Sequence, residues 1–191
     1  MPILIIIAIF STVFLIPFEL RRGASMKSRI FGLIDIEPEN QGGSFRKDYD
    51  MIIETVADEE NIPFALLKAH GVIESSLNPR AFTDENPTGR SDRQGWASRG
   101  LMQVLWWPNS DRFKSYGFPD VDLANGELLF DPYTNVHIAA KIIKRNLNAC
   151  GGNLQDAINM YNTGKKYTEY RAPNNYTSKV LSTYKQLIKE I

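Results

Sequence analysis

Residues 2–18 carry no charged side chain and are dominated by Ile, Leu, Phe and Val. Such a stretch has few places to go. About 17 apolar residues lie at the short end of what crosses the hydrocarbon core of a bilayer, and Arg21 and Arg22 mark a polar edge. Burial as a core helix would need a domain large enough to surround an element that is apolar on every face, which the rest of this chain does not offer. Residues 1–22 therefore read as a transmembrane anchor or uncleaved signal, contacting the membrane through residues 3–20. A cleaved secretory signal is the competing reading, but no basic residues precede the apolar core and no convincing small-residue cleavage site precedes Met26. The basic residues after the segment (Arg21, Arg22, Lys27, Arg29) would hold the following domain in the cytoplasm.

Residues 23–46 mix charges with Gly23, Gly32, Gly42, Gly43 and Pro38 and show no sustained period, the composition of a linker. A domain over residues 47–191 follows. Tyr49, Ile52, Ile53 and Val56 form one stripe of an amphipathic helix. Pro63 opens a second helix with Ile62, Leu66, Ala69 and Ile73 on its buried face, and Pro79 stops it near Ser76. Residues 77–99 are polar and rich in turn formers, predicting a long loop or a small irregular sheet. Asp131 and Pro132 open a helix carrying Val136, Ala140, Ile143 and Leu147 to a stop at Gly151. Asn153 and Asp156 start another, bearing Leu154, Ala157, Ile158 and Tyr161 and ending at Gly164. Val180, Leu181, Tyr184, Leu187, Ile188 and Ile191 mark the last.

Charge and composition remove several function classes. With 22 Lys and Arg against 22 Asp and Glu, no global field attracts nucleic acid. Cys150 is the single cysteine and His70 and His137 are the two histidines, too few for a disulfide framework or a metal cluster. No metal and no cofactor is expected.

Cleaving a glycosidic bond needs an acid that keeps its proton near neutral pH, and an apolar setting gives a carboxyl that property. Glu74, just after Val72 and Ile73 in the last turn of an apolar helix, fits the demand. Alone it would be read as a solvated helix-end residue. It is not alone. Glu74-Ser75-Ser76 with Asn78-Pro79, then Gly100-Leu101-Met102-Gln103, then Tyr161-Asn162-Thr163-Gly164 resemble, in order, three motifs of the soluble lytic transglycosylase family, relatives of goose-type lysozyme. Phe130-Asp131-Pro132 to Asn135, and Asn175-Tyr176, extend the likeness over about residues 47–188.

The resemblance implies a mainly α, lysozyme-like helical domain with a small irregular or β loop region, here preceded by the N-terminal hydrophobic helix. It implies a peptidoglycan lytic transglycosylase that cuts between N-acetylmuramic acid and N-acetylglucosamine without consuming water, leaving 1,6-anhydromuramoyl ends. Glu74 would be the single acid and base, with no second carboxylate required. Met102 and Gln103 would line the cleft, Tyr161 would aim its hydroxyl at Glu74, Asn162 would line the same wall, and Tyr176 would close the far side. Ser75 would hydrogen-bond near the carboxyl or the substrate, or be satisfied by backbone. A hydrolytic lysozyme on the same fold, or an inactive wall-binding or virion structural protein, are the alternatives. Asp92, if held across the cleft, would orient water for hydrolysis.

Met160 and Thr163 stand where the family has alanines, and the segment 83–99 is longer than the family's and carries Arg90, Asp92, Arg93, Trp96 and Arg99 as an added flap. Trp106 and Trp107 read equally as sugar-stacking or core residues, and His70, one turn before Glu74, reads as a satisfied or exposed histidine ahead of one that touches the catalytic face. Action on the wall places the enzyme in the periplasm or cell envelope, against the orientation the basic residues favour. An enzyme associated with a virion, or with a secretion machine and its proteins, would reconcile the two.

Overall fold

The apolar periodicities resolve into packed helices in the computed structural model, which describes residues 48–172 and 175–190. The expected anchor (1–22) and linker (23–46) lie outside the described residues. Among the described residues no helix is long and apolar enough to cross a membrane.

Helix α1 (Asp50–Glu60) buries Ile53, Val56 and Ala57, and turns at Asn61, which takes the left-handed conformation. Helix α2 (Phe64–Ser75) follows, capped by Pro63, with Ala65 to Gly71 all buried. An antiparallel three-stranded sheet occupies the polar region: β1 (Phe82–Asp84), β2 (Ala97–Arg99) and β3 (Val104–Trp106), in that order. A single 3-10 turn at Ser91–Arg93 lies in the long β1–β2 connection.

Residues 112–130, which carry no clear period, fold into a 3-10 turn (Arg112–Tyr116), the short helix α3 (Pro119–Leu123) and a second 3-10 turn (Glu127–Phe130). Each piece is shorter than two helical turns, so no apolar stripe could announce it.

Helix α4 (Pro132–Ala149) is the axis of the core. The Asp131 carboxylate accepts from Thr134 N–H as its cap, and Asn135, Val136, Ile138, Ala139, Ala140 and Ile143 are buried. Helix α5 (Leu154–Thr163) starts at Asn153, whose side chain accepts from Asp156 N–H, and ends at Gly164 in the left-handed region. Helix α6 (Tyr176–Glu190) buries Val180 and Leu187, while Ile188 stays exposed. α1 and α5 pack on α4, and α2 on α6. At the α1–α4 seam Glu60 meets His137 Nε2 at 2.9 Å and Lys141 Nζ at 2.8 Å. Each fully buried Leu or Ile contributes about 1.5–3 kcal/mol, so these seams dominate the stability of the domain.

Candidate active site

The carboxyl of Glu74 is placed by an unusual helix ending. Ser76 and the buried Leu77 both take left-handed backbone (φ +55° and +59°), and their N–H groups close back on Val72 and Gly71 carbonyls. Left-handed backbone costs about 1–2 kcal/mol at each non-glycine residue, here offset by those two hydrogen bonds and by seating Leu77 in the core. Gly71 makes room: a Cβ there would lie 2.7 Å from Leu77 Cδ2 and 3.1 Å from Met102 Sδ. Ser75 ties the same ending to the second motif, its hydroxyl donating to Leu101 O at 2.7 Å and accepting from Asn78 N–H at 3.0 Å.

Glu74 lines a cavity of about 560 Å³ together with Glu85, Gln103, Tyr161 and Asn162. Its carboxyl is raised to about 7 by burial, with the charge of Glu85 adding to the rise and a hydrogen bond from Tyr176 opposing it. The Tyr176 hydroxyl donates to Glu74 Oε1 at 2.5 Å and lies 2.9 Å from His70 Nδ1. A hydroxyl has one hydrogen to give, so with it committed to Glu74 the His70 Nδ1 must be the protonated nitrogen and donate to Tyr176. His70 is fully buried, its Nε2 has no partner, and burial lowers its pKa to about 3. A neutral imidazole thus stands behind the tyrosine that stands behind the carboxyl.

The second motif is built around Asn135 at the start of α4. Its Nδ2 donates to Arg99 O (2.8 Å) and Leu129 O (2.9 Å), and its Oδ1 accepts from Met102 N–H (2.7 Å). Gly100 passes through this knot with φ +76°, and a Cβ there would lie 2.2 Å from Leu129 O. Only glycine fits both the backbone and the space. Gln103, with φ +46°, is pinned by three hydrogen bonds: Nε2 donates to Ala81 O and Gly100 O, and Oε1 accepts from Thr83 Oγ1 at 2.6 Å.

Several expected roles change. Met102 is fully buried and packs in the core instead of lining the cleft; its carbonyl accepts from the Tyr161 hydroxyl at 2.8 Å. Tyr161 therefore anchors the second motif and does not aim its hydroxyl at Glu74. That contact belongs to Tyr176, which is 7% exposed and lies behind the carboxyl, not across the cleft. Ser75 is consumed by backbone partners. Trp106 is core, and Trp107 stacks on Trp96 with ring centroids 5.1 Å apart. Asp92 is exposed and paired with Arg90 at 2.8 Å, away from the cavity lining.

The acid that sequence reasoning passed over is Glu85, one residue beyond β1. Its N–H donates to Trp96 O, and its Oε1 accepts from Ser98 Oγ at 2.6 Å, which holds the carboxyl at the cavity. The strand register places it there: Asp84 pairs with Ala97, so the next pair brings Glu85 beside Trp96. Among the described residues no group of three or more His, Cys, Asp or Glu side chains is placed to hold a metal ion.

The sequence model of the family described as "Transglycosylase SLT domain" matches residues 51–181. The chain belongs to that family. The match begins in α1 and ends within α6, so it takes in α2 with Glu74 and the start of the helix that carries Tyr176. Membership of the SLT family supports an enzyme acting on peptidoglycan, and the helical domain with its small antiparallel sheet fits the lysozyme-like SLT fold. No solved structure gives a significant match to the chain.

Proposed function

We propose that this SLT domain is a lytic transglycosylase that cleaves the β-1,4 bond between N-acetylmuramic acid and N-acetylglucosamine, with Glu74 as its one acid and base. The observation that carries the reading is a desolvated carboxyl lining a cavity of about 560 Å³, raised by burial to about 7. A carboxyl raised this far can still hold, near neutral pH, the proton needed to protonate the leaving oxygen. With Oε1 engaged by Tyr176, Oε2 is the oxygen free to deliver it. Departure of the N-acetylglucosamine oxygen leaves the Glu74 carboxylate, which takes the proton of the muramoyl C6 hydroxyl as that oxygen bonds to C1. The ring closes, the 1,6-anhydro end forms, and Glu74 is protonated again. Gln103 and Asn162 face the same cavity as contacts for the sugar strand.

Hydrolysis is the second reading, and it attaches to Glu85 instead of Asp92. Glu85 shares the cavity with Glu74 and its charge acts on that carboxyl. A second carboxylate there would orient water in place of the C6 hydroxyl.

The chain would be held in the membrane through residues 3–20, with residues 23–46 as a linker and 47–191 as the catalytic domain, acting in the periplasm or cell envelope. There it would open the wall locally, during phage entry or lysis or for assembly of a secretion machine. Mass spectrometry of muropeptides released from purified peptidoglycan tests the chemistry. Anhydromuramoyl products that vanish in Glu74→Gln support the transglycosylase. Reducing, hydrated ends shift the assignment to a lysozyme, and release of neither product leaves a binding or structural protein.

A further inference from the structure

Three guanidinium groups line the cavity: Arg93 from the long β1–β2 connection, Arg112 from the turn after β3, and Arg145 from α4. Each lies over an aromatic ring. Arg93 is 5.2 Å from the Trp96 ring, Arg112 is 5.3 Å from Trp107, and Arg145 is 5.4 Å from Tyr116. The two indoles stack on each other at 5.1 Å, and the strand register explains why: Ala97 pairs with Trp106, so Trp96 and Trp107 are neighbours one step along. The extended connection and the residues after β3 thus form one platform that fixes two of the three cations.

A guanidinium lying on a ring has its face occupied and its N–H edge free, the edge that matches a carboxylate with two parallel hydrogen bonds. Arg112 gives one N–H to Leu105 O at 3.2 Å. Neither Arg93 nor Arg145 donates a side-chain hydrogen bond to any described residue. Against these three cations the cavity sets two carboxyls, Glu74 and Glu85, and Glu74 keeps its proton up to about pH 7. The cavity therefore carries an excess of positive charge that an uncharged sugar strand does not require.

We propose that Arg93 and Arg145, steadied by their aromatic partners, bind the carboxylates of the stem peptide carried by muramic acid, so that the enzyme selects peptide-bearing glycan over bare glycan. The inference rests on the proposed action on peptidoglycan and names the part of the polymer that Arg93 and Arg145 read.

Calorimetric titration of the full chain carrying Glu74→Gln, which separates binding from cleavage, tests it with two soluble probes. One is the N-acetylglucosaminyl-muramoyl tetrapeptide; the other is the same disaccharide freed of its peptide by an amidase, with the lactyl carboxylate that this exposes capped as its methylamide so that the control carries no charge. The peptide-bearing probe is expected to bind at least about tenfold tighter. In the added double variant Arg93→Gln with Arg145→Gln that advantage should fall to within about threefold, and high salt should erode it likewise. The lysine counterparts, which keep the charge and lose the fork, should recover part of it. Equal affinities in the parent, or an advantage that survives the double variant, overturn the inference. Wild-type digestion of sacculi run in parallel keeps the two ideas apart. Cleavage with equal probe affinities removes the peptide assignment alone, and selective binding without cleavage removes the catalytic reading alone.

Discussion

Tyr176 gives its hydroxyl hydrogen to Glu74 Oε1 across 2.5 Å, joining the first residue of α6 to the last turn of α2 over 102 residues of chain. The contact places a donor where the carboxylate needs one while burial and Glu85 push the other way. Because the same hydroxyl oxygen accepts from His70 Nδ1, the tautomer of a buried histidine is set by the proposed acid two hydrogen bonds away.

Removing the hydroxyl should therefore show in two readouts. Tyr176→Phe takes away the interaction that favours the charged form of Glu74, so the pKa rises further above about 7. If activity needs the protonated acid, kcat/KM falls with rising pH, and the midpoint of that fall should move to higher pH in the variant. The His70 Nδ1–H loses its acceptor in a fully buried site, which should cost about 1–3 kcal/mol in urea unfolding. An unmoved midpoint would show that the tyrosine does not act on Glu74.

Glu85→Gln should move the same midpoint the opposite way. The negative charge at Glu85 raises the Glu74 pKa, so neutralising it lowers the pKa and shortens the range over which the acid holds its proton. Glutamine still offers an oxygen to Ser98 Oγ, so the hairpin should keep its shape. Asp92→Asn is the comparison: Asp92 is exposed and held low by Arg90, and the pH profile should not respond. If Glu85 also orients water, any hydrated muropeptide ends should decline in Glu85→Gln and persist in Asp92→Asn.

The helices were legible in the sequence because periodic burial and cap chemistry are local. Ile53 and Val56, Leu66 and Ala69, Val136, Ala140 and Ile143 are all buried as their spacing requires, and Asp131, Asn153 and Gly164 sit at the helix ends they mark. Glu74 was legible through its apolar helix and the motifs after it. What the sequence could not supply is which of two tyrosines faces the carboxyl. Tyr161 and Tyr176 lie on different helices, and only the packing of α2 against α6 decides that Tyr176 reaches Glu74 while Tyr161 reaches the Met102 carbonyl. The position of His70 one turn before Glu74 was visible, but its partner Tyr176 was not, since it lies 106 residues away. Glu85 and Asp92 differ in the register of a hairpin whose strands are three residues long, too short for alternation to show which acid turns inward.

The raised carboxyl also predicts how stability responds to pH. Glu74 titrates at about 7 in the folded state and near its ordinary 4.5 when unfolded. Between those values the native state binds more protons than the unfolded state, so this residue's contribution to stability is fully present below about pH 4.5 and is lost as pH rises through 7. Glu74→Gln has no proton to lose. Relative to wild type the variant should gain stability from pH 5 to pH 8, by at most about 3 kcal/mol. Chemical unfolding of both proteins at the two pH values measures the difference, and a difference independent of pH would contradict the raised pKa.

Two glycines on the same polar stretch separate backbone strain from crowding. Gly89 has φ +69°, and a Cβ added there would meet nothing within 4 Å, so Gly89→Ala should cost only the left-handed penalty, about 1–2 kcal/mol. Gly100 has a similar φ of +76°, but its Cβ would meet Leu129 O at 2.2 Å and Asn135 Nδ2 at 2.5 Å. Relief would require shifting the Asn135 knot that holds Arg99, Met102 and Leu129 together, adding about 1–3 kcal/mol of strain to the backbone penalty. The activity should separate as well. Gly89→Ala leaves the cavity lining untouched, whereas Gly100→Ala displaces Gln103, whose Nε2 bonds the Gly100 carbonyl. Unfolding free energies that fall equally in the two variants would show that the knot yields freely, and that the second motif needs its glycine for backbone conformation alone.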